Sequence, residues 1–211
     1  MSNQFQKILI AAAVSACGAQ AQEWEFGVAG GYGFYKSAEV STGSGRVSAG
    51  VKSGAAFGVV GTQNFRYLSG EARYTYRFGD LKLENGGTAT LGAESHAVHY
   101  DLLVNGRPRG AAVRPYAAIG AGIKYFRGRG KEPIVQPLSQ YALLTRTDEV
   151  KPLISFGAGV KVAVSRHVLV RIDVRDYATP VPTNLIAARR GATVHGWLHD
   201  FVPMVGIGFQ F

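Results

Sequence analysis

The sequence predicts an all-β fold in which eight antiparallel strands close up-and-down into a transmembrane β-barrel. Apolar residues alternate with small or polar ones along about eight segments, a period of two that is typical of strands with different environments on their faces. The composition agrees, because 28 of 211 residues are Gly, alongside 10 Tyr, 11 Phe and 2 Trp. Glycine in a helix interior costs about 1 kcal/mol relative to alanine. The chain therefore favours crowded strands over helices.

The first four predicted strands show the alternation in different strengths. Segment 23–35 sets aromatic residues against glycines and Glu25, and segment 49–61 places Val51, Ala55, Phe57 and Val59 on one face. After a turn at 62–64, segment 65–78 is the clearest, because one face takes all of its charge. Segment 94–104 follows, with an apolar face formed by His96, Val98, Tyr100, Leu102 and Val104.

The second four predicted strands begin after a basic connection that contains Arg107 and Arg109. Segments 114–126 and 150–164 set apolar residues against glycines and a lysine, and segment 168–177 sets valines and Ile172 against charged residues. The last segment, 200–211, places on its apolar face Phe201, Pro203, Val205, Ile207, Phe209 and Phe211. So apolar an edge would aggregate if left unpaired in water. We expect it to close the barrel by pairing with the first strand.

The connections alternate in length, which orients the barrel. Long connections follow strands one, three, five and seven, and we expect them to be polar or Gly-rich loops at about 36–48, 79–93, 127–149 and 178–198. Of the other three connections, two have only about three residues and the middle one about nine. Membrane barrels of the bacterial outer membrane have short periplasmic turns and longer outer loops.

The N-terminus, residues 1–21, is predicted to be a cleaved signal peptide. Lys7 precedes a short apolar run, and Ala19-Gln20-Ala21 forms an A-x-A cleavage site, so the barrel domain would be 22–211. An alternative uses Val14-Ser15-Ala16-Cys17 as a lipoprotein box with Cys17 lipidated. Cleavage after Ala21 removes the only cysteine and lowers the formal charge from +9 to +8. A basic balance suits nucleic acid or an anionic membrane surface, and the export signal favours the membrane.

The position of the charged strand face distinguishes a soluble barrel from a membrane barrel. A soluble Gly-rich barrel in the periplasm would expose its charges, whereas a membrane barrel turns them into the lumen. Glycines mostly share the charged face and aromatic residues cluster near strand ends, which favours the membrane alternative. The predicted lumen charges are Glu71, Arg73, Arg77, Asp101, Lys124, Lys161, Arg171, Asp173 and Arg175.

The chain resembles the small eight-stranded outer-membrane barrels, the OmpA-like transmembrane domain and its relatives, over about residues 23–211. The resemblance rests on V-R-P-Y-A-A-I-G-A-G-I-K-Y-F at 113–126, V-R-I-D-V-R-D-Y at 170–177 and the ending G-I-G-F-Q-F. It implies a place in the outer membrane of a Gram-negative cell envelope. It also implies that the barrel-insertion machinery reads an assembly signal at Gly206, Phe209 and Phe211, although Met204 stands where a polar residue is usual. We do not expect the group's optional peptidoglycan-binding domain in these 211 residues.

Two interpretations of the lumen charges remain open. They line a selective, conducting pore, or they pair and fill a narrow barrel, because unpaired buried charge is costly. We predict the second, with Glu71 and Asp173 bridging to Arg73, Arg171, Arg175 or Lys161.

Catalysis and cofactors are not predicted. Ser95, His96, His99 and Glu94 carry the residue types of a lipid hydrolase, but His96 and His99 have opposite parity and point to different faces. Only tertiary coincidence would bring His195 and His199 to them. No metal spacing or phosphate loop stands out.

We therefore expect a non-enzymatic barrel with a structural or adhesive role. The alternatives are a narrow porin-like channel for small solutes and a lipid-modifying barrel enzyme. The expected partners are outer-membrane lipids, lipopolysaccharide and the insertion machinery, with no nucleic acid and a monomeric state. Arginine pairs strongly with phosphate, so the basic loops would contact outer-leaflet phosphates or remain solvated, through Arg127, Arg129, Lys131, Arg146, Arg189 and Arg190. At the periplasmic rim we expect Arg107, Arg109 and Arg114.

Overall fold

A computed structural model describes residues 23–211 apart from positions 37, 43–44, 86–87, 130–135, 137, 140–141 and 189–192. The predicted signal peptide and Cys17 lie outside these residues. The described residues include no helix that could span a bilayer. The strands of the described residues are β1 Glu23–Lys36, β2 Ala38–Thr42, β3 Gly45–Val51, β4 Gly54–Asn64, β5 Leu68–Phe78, β6 Leu81–Glu84, β7 Thr88–Leu91, β8 Ala93–Asn105, β9 Val113–Gly128, β10 Ala142–Leu144, β11 Asp148–Ala163, β12 Val168–Pro180, β13 Ile186–Ala188, β14 Thr193–His195 and β15 Trp197–Gln210.

Eight of these strands close into an antiparallel barrel, in the order β1, β15, β12, β11, β9, β8, β5 and β4. Each strand pairs with its neighbours along the chain, and the first pairs with the last, with Phe26 opposite Phe209 and Ala29 opposite Gly206. The predicted up-and-down barrel and its closure by the final strand are confirmed. A closed sheet leaves no unpaired edge in the hydrocarbon, where an unsatisfied backbone group costs several kcal/mol.

The two faces of the barrel strands divide as the alternation predicts. On β5, Leu68, Tyr74 and Phe78 are exposed on the outer wall, while Glu71 and Arg73 are buried. Aromatic side chains collect near the ends of the outer wall, including Trp24 and Phe211 at one end and Phe34, Phe78, Trp197 and Phe201 at the other. Rings near the two interfaces and apolar residues between them are what a lipid-facing wall requires.

The predicted second strand is partly wrong. Residues 49–51 belong to β3, which pairs with β2 and β6 outside the barrel, and the barrel strand β4 runs Gly54–Asn64. The turn predicted at 62–64 is therefore strand, and residues 65–67 form the turn instead. Lys52 and Ser53 separate β3 from β4. Because this gap is two residues long, it leaves the period of two unchanged, and the alternation from 49 to 64 looks like one strand in the sequence.

The long connections are not plain loops, which corrects the sequence expectation. Over the described residues they form a five-stranded sheet, ordered β14, β2, β3, β6 and β7, and a two-stranded sheet of β10 and β13. We call these seven strands the outer cap. The cap has an apolar core that continues onto Phe126 and Leu198 of the barrel, and its fully buried members include Ala49, Leu81, Leu83, Ala142, Leu185 and Ile186.

The cap and the short turns lie at opposite ends of the barrel. Residues 65–67, 106–112 and 164–167 connect strands at the end where Glu23 pairs with Asn64. By the rule that outer-membrane barrels have short periplasmic turns, this end faces the periplasm. The cap then stands on the outer side of the membrane.

Candidate functional site

The candidate site is the barrel interior, where the inward positions of neighbouring strands bring charged side chains together. A side chain on every second residue points inward, so β5 contributes Glu71, Arg73 and Arg77, and β12 contributes Arg171, Asp173 and Arg175. All nine predicted lumen residues are buried, with relative exposures of 3% or less. We call these nine residues, together with the buried Glu25, Arg114 and Asp200, the lumen network.

Glu71 lies at the centre of this network and contacts three guanidinium groups. Its carboxylate is 3.0 Å from Arg73, 2.7 Å from Arg171 and 3.0 Å from Arg175. Thr62 donates a further hydrogen bond to Glu71 Oε2 at 3.2 Å. Both oxygens are thus occupied by donors from three strands, β4, β5 and β12, which is what an ion in a dry interior needs.

Asp173 forms the second centre of the network. Arg73 donates to both of its oxygens across the barrel, at 3.0 and 2.8 Å, the bidentate geometry in which arginine binds carboxylates most strongly. Arg171 Nε and the Tyr116 hydroxyl also donate to Asp173 Oδ2, at 3.2 and 3.0 Å. Next to it, Asp101 lies 3.5 Å from Arg175 and 2.9 Å from His99 Nδ1.

Each end of the network has its own acid. Towards the periplasm, Glu25 pairs with Lys161 and lies 3.4 Å from Arg171. Towards the cap, Asp200 pairs with Arg77 and lies 2.6 Å from Lys124. The Tyr35 ring covers this outer pair, with its centroid 3.9 Å from the guanidinium carbon of Arg77 and 4.9 Å from the ammonium of Lys124.

Three network members, Glu25, Asp200 and Arg114, were missed in the sequence. The nine predicted residues contain six cations and three acids, and this imbalance was a usable signal that acids were missing. Glu25 and Asp200 supply them, and both have inward parity. Arg114 lies at the periplasmic end of the barrel, as expected, but it points into the lumen, where it is buried and donates to Asn64 Oδ1 at 3.2 Å. It is the second residue of a strand that begins one residue earlier than predicted.

Glycines on the inner wall make room for these long side chains. A Cβ on Gly159 would lie 2.6 Å from both the Tyr116 hydroxyl and Asp173 Cβ, and a Cβ on Gly206 would lie 3.1 Å from Arg171 Cγ. A Cβ on Gly33 would overlap the guanidinium of Arg77. The interior of an eight-stranded barrel is just wide enough for side chains to fill, so large charged groups require small neighbours.

Little space remains beside the network. A cavity of about 40 Å³ lies at the periplasmic mouth beside Arg114 and Lys161, and one of about 10 Å³ lies under the cap between Tyr35, Arg77 and Phe126. A cavity needs about 10 to 15 Å³ of such space to hold one water molecule. The first cavity therefore has room for a few water molecules, and the second for one at most. The arrangement holds charge in place and offers little room for a substrate.

The residues weighed for catalysis do not come together. Ser95 and His99 are buried inside, whereas His96 faces outward and contacts the Tyr74 hydroxyl at 2.8 Å. His199 lies on the outer wall, 2.8 Å from Asp176. The side chain of His195 is outside the described part of the chain, as are Lys131, Arg189 and Arg190. Among the described residues, no three His, Cys, Asp or Glu side chains are placed to hold a metal ion.

The predicted assembly-signal residues lie on β15 and just after it. Phe209 and Phe211 are exposed on the outer wall with ring centroids 5.0 Å apart, and Phe211 also contacts Phe26 edge to face. Gly206 lies opposite Ala29 of β1, and its α-carbon faces the lumen beside Arg171. The two aromatic residues thus form one surface with β1, where the barrel closes.

Solved structures with the same fold share little sequence with this chain. Neisserial surface protein A has a TM-score of 0.53 at 12% identity, covering 91% of this chain and 100% of its own. Outer membrane protein OprG from Pseudomonas aeruginosa has 0.55 at 15%, covering 89% and 95%. The outer membrane protease OmpT from Escherichia coli has 0.51 at 9%, covering 92% and 99%. Identities this low establish the fold alone.

The comparison with curated proteins gives no sequence match. The outer membrane protein beta-barrel domain family, however, matches residues 8–191, which is most of the chain. The closed eight-stranded barrel, its apolar outer wall and its charged lumen agree with that match. The chain belongs to the outer membrane protein beta-barrel domain family and is a protein of the outer membrane.

Proposed function

We propose that this protein is a non-conducting outer-membrane barrel with a structural and surface-interaction role, whose lumen is filled by paired ions. The observation that supports this most strongly is the environment of Glu71, with three arginines from two strands within 3.0 Å of its carboxylate. Because each charge has partners at hydrogen-bond distance, a passing solute would have to break several pairs at once.

The energetic argument favours a closed lumen. Separating one partner from a buried ion pair costs about 3 to 5 kcal/mol, and a path past Glu71 and Asp173 would disturb at least Arg73 and Arg171. Opening at that cost is rare, since each 1.4 kcal/mol lowers a population about tenfold. A narrow porin would instead leave its charged groups lining water.

The outer cap supports the same proposal from the other end. Its apolar core, which includes Leu81, Leu83 and Leu198, covers the outer end of the lumen above Tyr35 and Phe126. A solute that passed the ions would meet a packed apolar layer. The outward face of the cap then serves as the surface that interacts with the exterior.

Conductance in planar lipid bilayers tests the closed lumen. We expect the wild-type protein to insert without stepwise current, because the lumen network occupies the path. The matched variant Arg73→Ala/Asp173→Ala removes one facing ion pair without changing the net charge, and it should conduct. Stable current steps from the wild-type protein would contradict the proposal and favour the porin-like alternative.

The proposed role is not enzymatic, which lipid analysis tests separately. On the outer wall, the pair of Asp176 and His199 has the residue types of a catalytic dyad. Among the described outward positions beside it, Phe156, Phe201 and Lys36 supply no hydroxyl or thiol nucleophile. We expect cells expressing the wild-type protein and His199→Ala to have the same lipid profile, and a new lysolipid or deacylated lipid with wild type alone would contradict this.

The partners we propose are outer-membrane lipids and the barrel-insertion machinery, for a protein that works as a monomer. The exposed pair of Phe209 and Phe211 beside β1 supports recognition of the final strand during insertion. Phe211→Ala should lower the amount of protein inserted in cells several-fold, while refolding of the purified protein into detergent stays close to wild type. Leu68→Ala, which removes another exposed outward side chain, is the control. Equal insertion of both variants would contradict recognition through Phe211.

A further inference from the structure

Three arginines meet on the outer wall of the barrel, at its cap end. Arg127 and Arg129 have the outward parity of Tyr125 on β9, and Arg127 lies opposite Asp148, the first residue of β11. Arg146 precedes β11, and its backbone lies next to Gly128. The three side chains therefore come from two adjacent strand ends and line one surface.

A single buried carboxylate holds two of these arginines in place. Glu94 is 3% exposed and lies 2.9 Å from Arg129 Nε and 3.8 Å from Arg127 Nη1. It also accepts a hydrogen bond from the Tyr76 hydroxyl at 2.6 Å. The arginine side chains are themselves 56% and 59% exposed, so most of their donors point to the exterior. One acid thus orients two guanidinium groups without using up their donors.

These groups border an open cavity of about 470 Å³. Its lining consists of Arg127, Gly128, Arg129, Arg146, Thr147 and Asp148. With Glu94 behind it, this site has three cations against two acids and is net positive. A cavity of a few hundred Å³ is large enough for a small-molecule headgroup. Arginine presents a planar fork of donors that matches phosphate in two places at once.

The height of the cavity on the barrel points to a lipid as the source of the phosphate. Directly below it on the outer wall, towards the membrane, lie Tyr76, His96 and Tyr125, whose rings contact one another at 4.9 and 5.9 Å. Aromatic side chains of a barrel lie at the level of the membrane interface. Cations immediately outside such rings are at the height of the headgroup phosphates, with acyl chains alongside the apolar wall.

We propose that Arg127, Arg129 and Arg146 bind the phosphate of an outer-leaflet glycolipid, the phosphorylated glucosamine headgroup of lipopolysaccharide. The acyl chains of the lipid would lie against the outer wall below the aromatic residues. This inference rests on the outer-membrane location of the barrel and is independent of whether its lumen conducts. A lipid held at this position would anchor the barrel laterally in the leaflet and leave the cap above it accessible.

The test is native mass spectrometry of the purified full chain in neutral detergent, titrated with lipid A that carries both phosphates. We expect the wild-type protein to retain lipid A, and Arg127→Ala/Arg129→Ala to bind it about tenfold more weakly, since two charge-assisted pairs are lost. Arg107→Ala/Arg166→Ala is the matched control, because it removes the same charge from exposed positions at the periplasmic end. It should bind as the wild type does. Equal binding by the two double variants would overturn the proposal.

Two further arms separate charge from shape and lipid from free phosphate. Arg127→Lys/Arg129→Lys keeps the charge but loses the bidentate fork, and we expect affinity between those of the wild type and the alanine variant. A closed barrel migrates differently in detergent gels before and after heating. If the alanine variant loses this difference and is therefore not folded, the lysine variant still tests the site. The wild-type protein should bind dephosphorylated lipid A as weakly as the alanine variant binds lipid A. Displacement of lipid A by excess inorganic phosphate would overturn the lipid assignment.

Discussion

The middle of the barrel and the outer cap have opposite distributions of charged and apolar side chains between interior and exterior. Around Glu71 the interior is ionic and the outer wall is apolar. In β6 the order is reversed, because Leu81 and Leu83 are fully buried while Lys82 and Glu84 face outward. What changes between the two regions is the surroundings, since the barrel strands meet hydrocarbon and the cap strands meet water. The reversal of polarity marks where the membrane ends.

The largest effect should follow from unbalancing the ionic region. Asp173→Asn removes one acid that contacts Arg73, Arg171 and Tyr116, so the free energy of unfolding should fall by about 4 kcal/mol. Adding Arg73→Gln should recover part of that loss, because Arg73 would otherwise keep only Glu71 as an acidic partner and carry charge that Asp173 no longer balances. Urea titration in lipid bilayers measures both. The exposed acid Glu84, changed to Gln, is the control, and equal losses from Asp173→Asn and Glu84→Gln would contradict a network built on pairing.

The apolar region should respond to loss of volume instead of charge. Leu144 of β10 is 1% exposed and its neighbour Leu143 is 39% exposed, which makes a matched pair. Leu144→Ala should destabilise the cap by about 3 kcal/mol through the cavity it leaves, and Leu143→Ala by much less. Limited proteolysis should cut the cap of the first variant faster, while unheated migration in detergent gels still reports a closed barrel. Loss of the barrel together with the cap would show that the two regions are one cooperative unit.

A smaller effect should follow from filling the space around the ions. Gly159→Ala places a methyl group 2.6 Å from the Tyr116 hydroxyl and 2.7 Å from the Ile172 carbonyl oxygen. We expect a loss of about 2 kcal/mol, since overpacking of this kind usually costs 1 to 3 kcal/mol. Gly30→Ala is the control, because its Cβ would meet only Phe57 at 4.0 Å. If both substitutions are neutral in urea titration, the lumen is looser than the structure indicates.

The smallest effect should come from a charge pair outside both regions. Lys52 and Asp80 lie 3.8 Å apart between barrel and cap, with side chains 42% and 50% exposed. Such surface pairs contribute about 0 to 1 kcal/mol. Asp80→Asn should therefore change the unfolding free energy by less than about 0.5 kcal/mol. A loss as large as that of Asp173→Asn would mean that burial does not distinguish the two kinds of pair.

The barrel could be predicted from the sequence because lipid imposes a single rule: outward-facing residues are apolar, and charged residues face the lumen. Segment 71–77, E-A-R-Y-T-Y-R, shows that rule directly, with charge on one face and tyrosine on the other. The cap was not predicted, since L-K-L-E at 81–84 obeys the opposite rule over only four residues. Because glycines and threonines flank this segment, the sequence pattern predicted a loop there.

The sequence predicted nine of the twelve members of the lumen network and the pairing of Glu71 and Asp173 with arginines, but it missed three members and the geometry of the contacts. Parity places Arg73 and Asp173 on inner faces, but their bidentate contact joins residues 100 positions apart and depends on how the sheet closes. The same holds for Glu94, which has outward parity and yet is buried by Tyr76 and Arg129. Such contacts depend on the stagger between strands, which turn lengths alone do not determine.

The most direct test of the closed lumen is the reactivity of a thiol placed within it. Cys17 is the only cysteine in the sequence, so Ser155→Cys in a Cys17→Ser background puts one thiol beside Asp101, at a position with 0% exposure. Ser53→Cys in the same background places the control thiol at an exposed position between β3 and β4. With a charged, water-soluble thiol reagent, we expect the Ser155→Cys variant to react slower than the Ser53→Cys variant by about three orders of magnitude. Equal rates in the folded barrel would contradict a lumen sealed by paired ions.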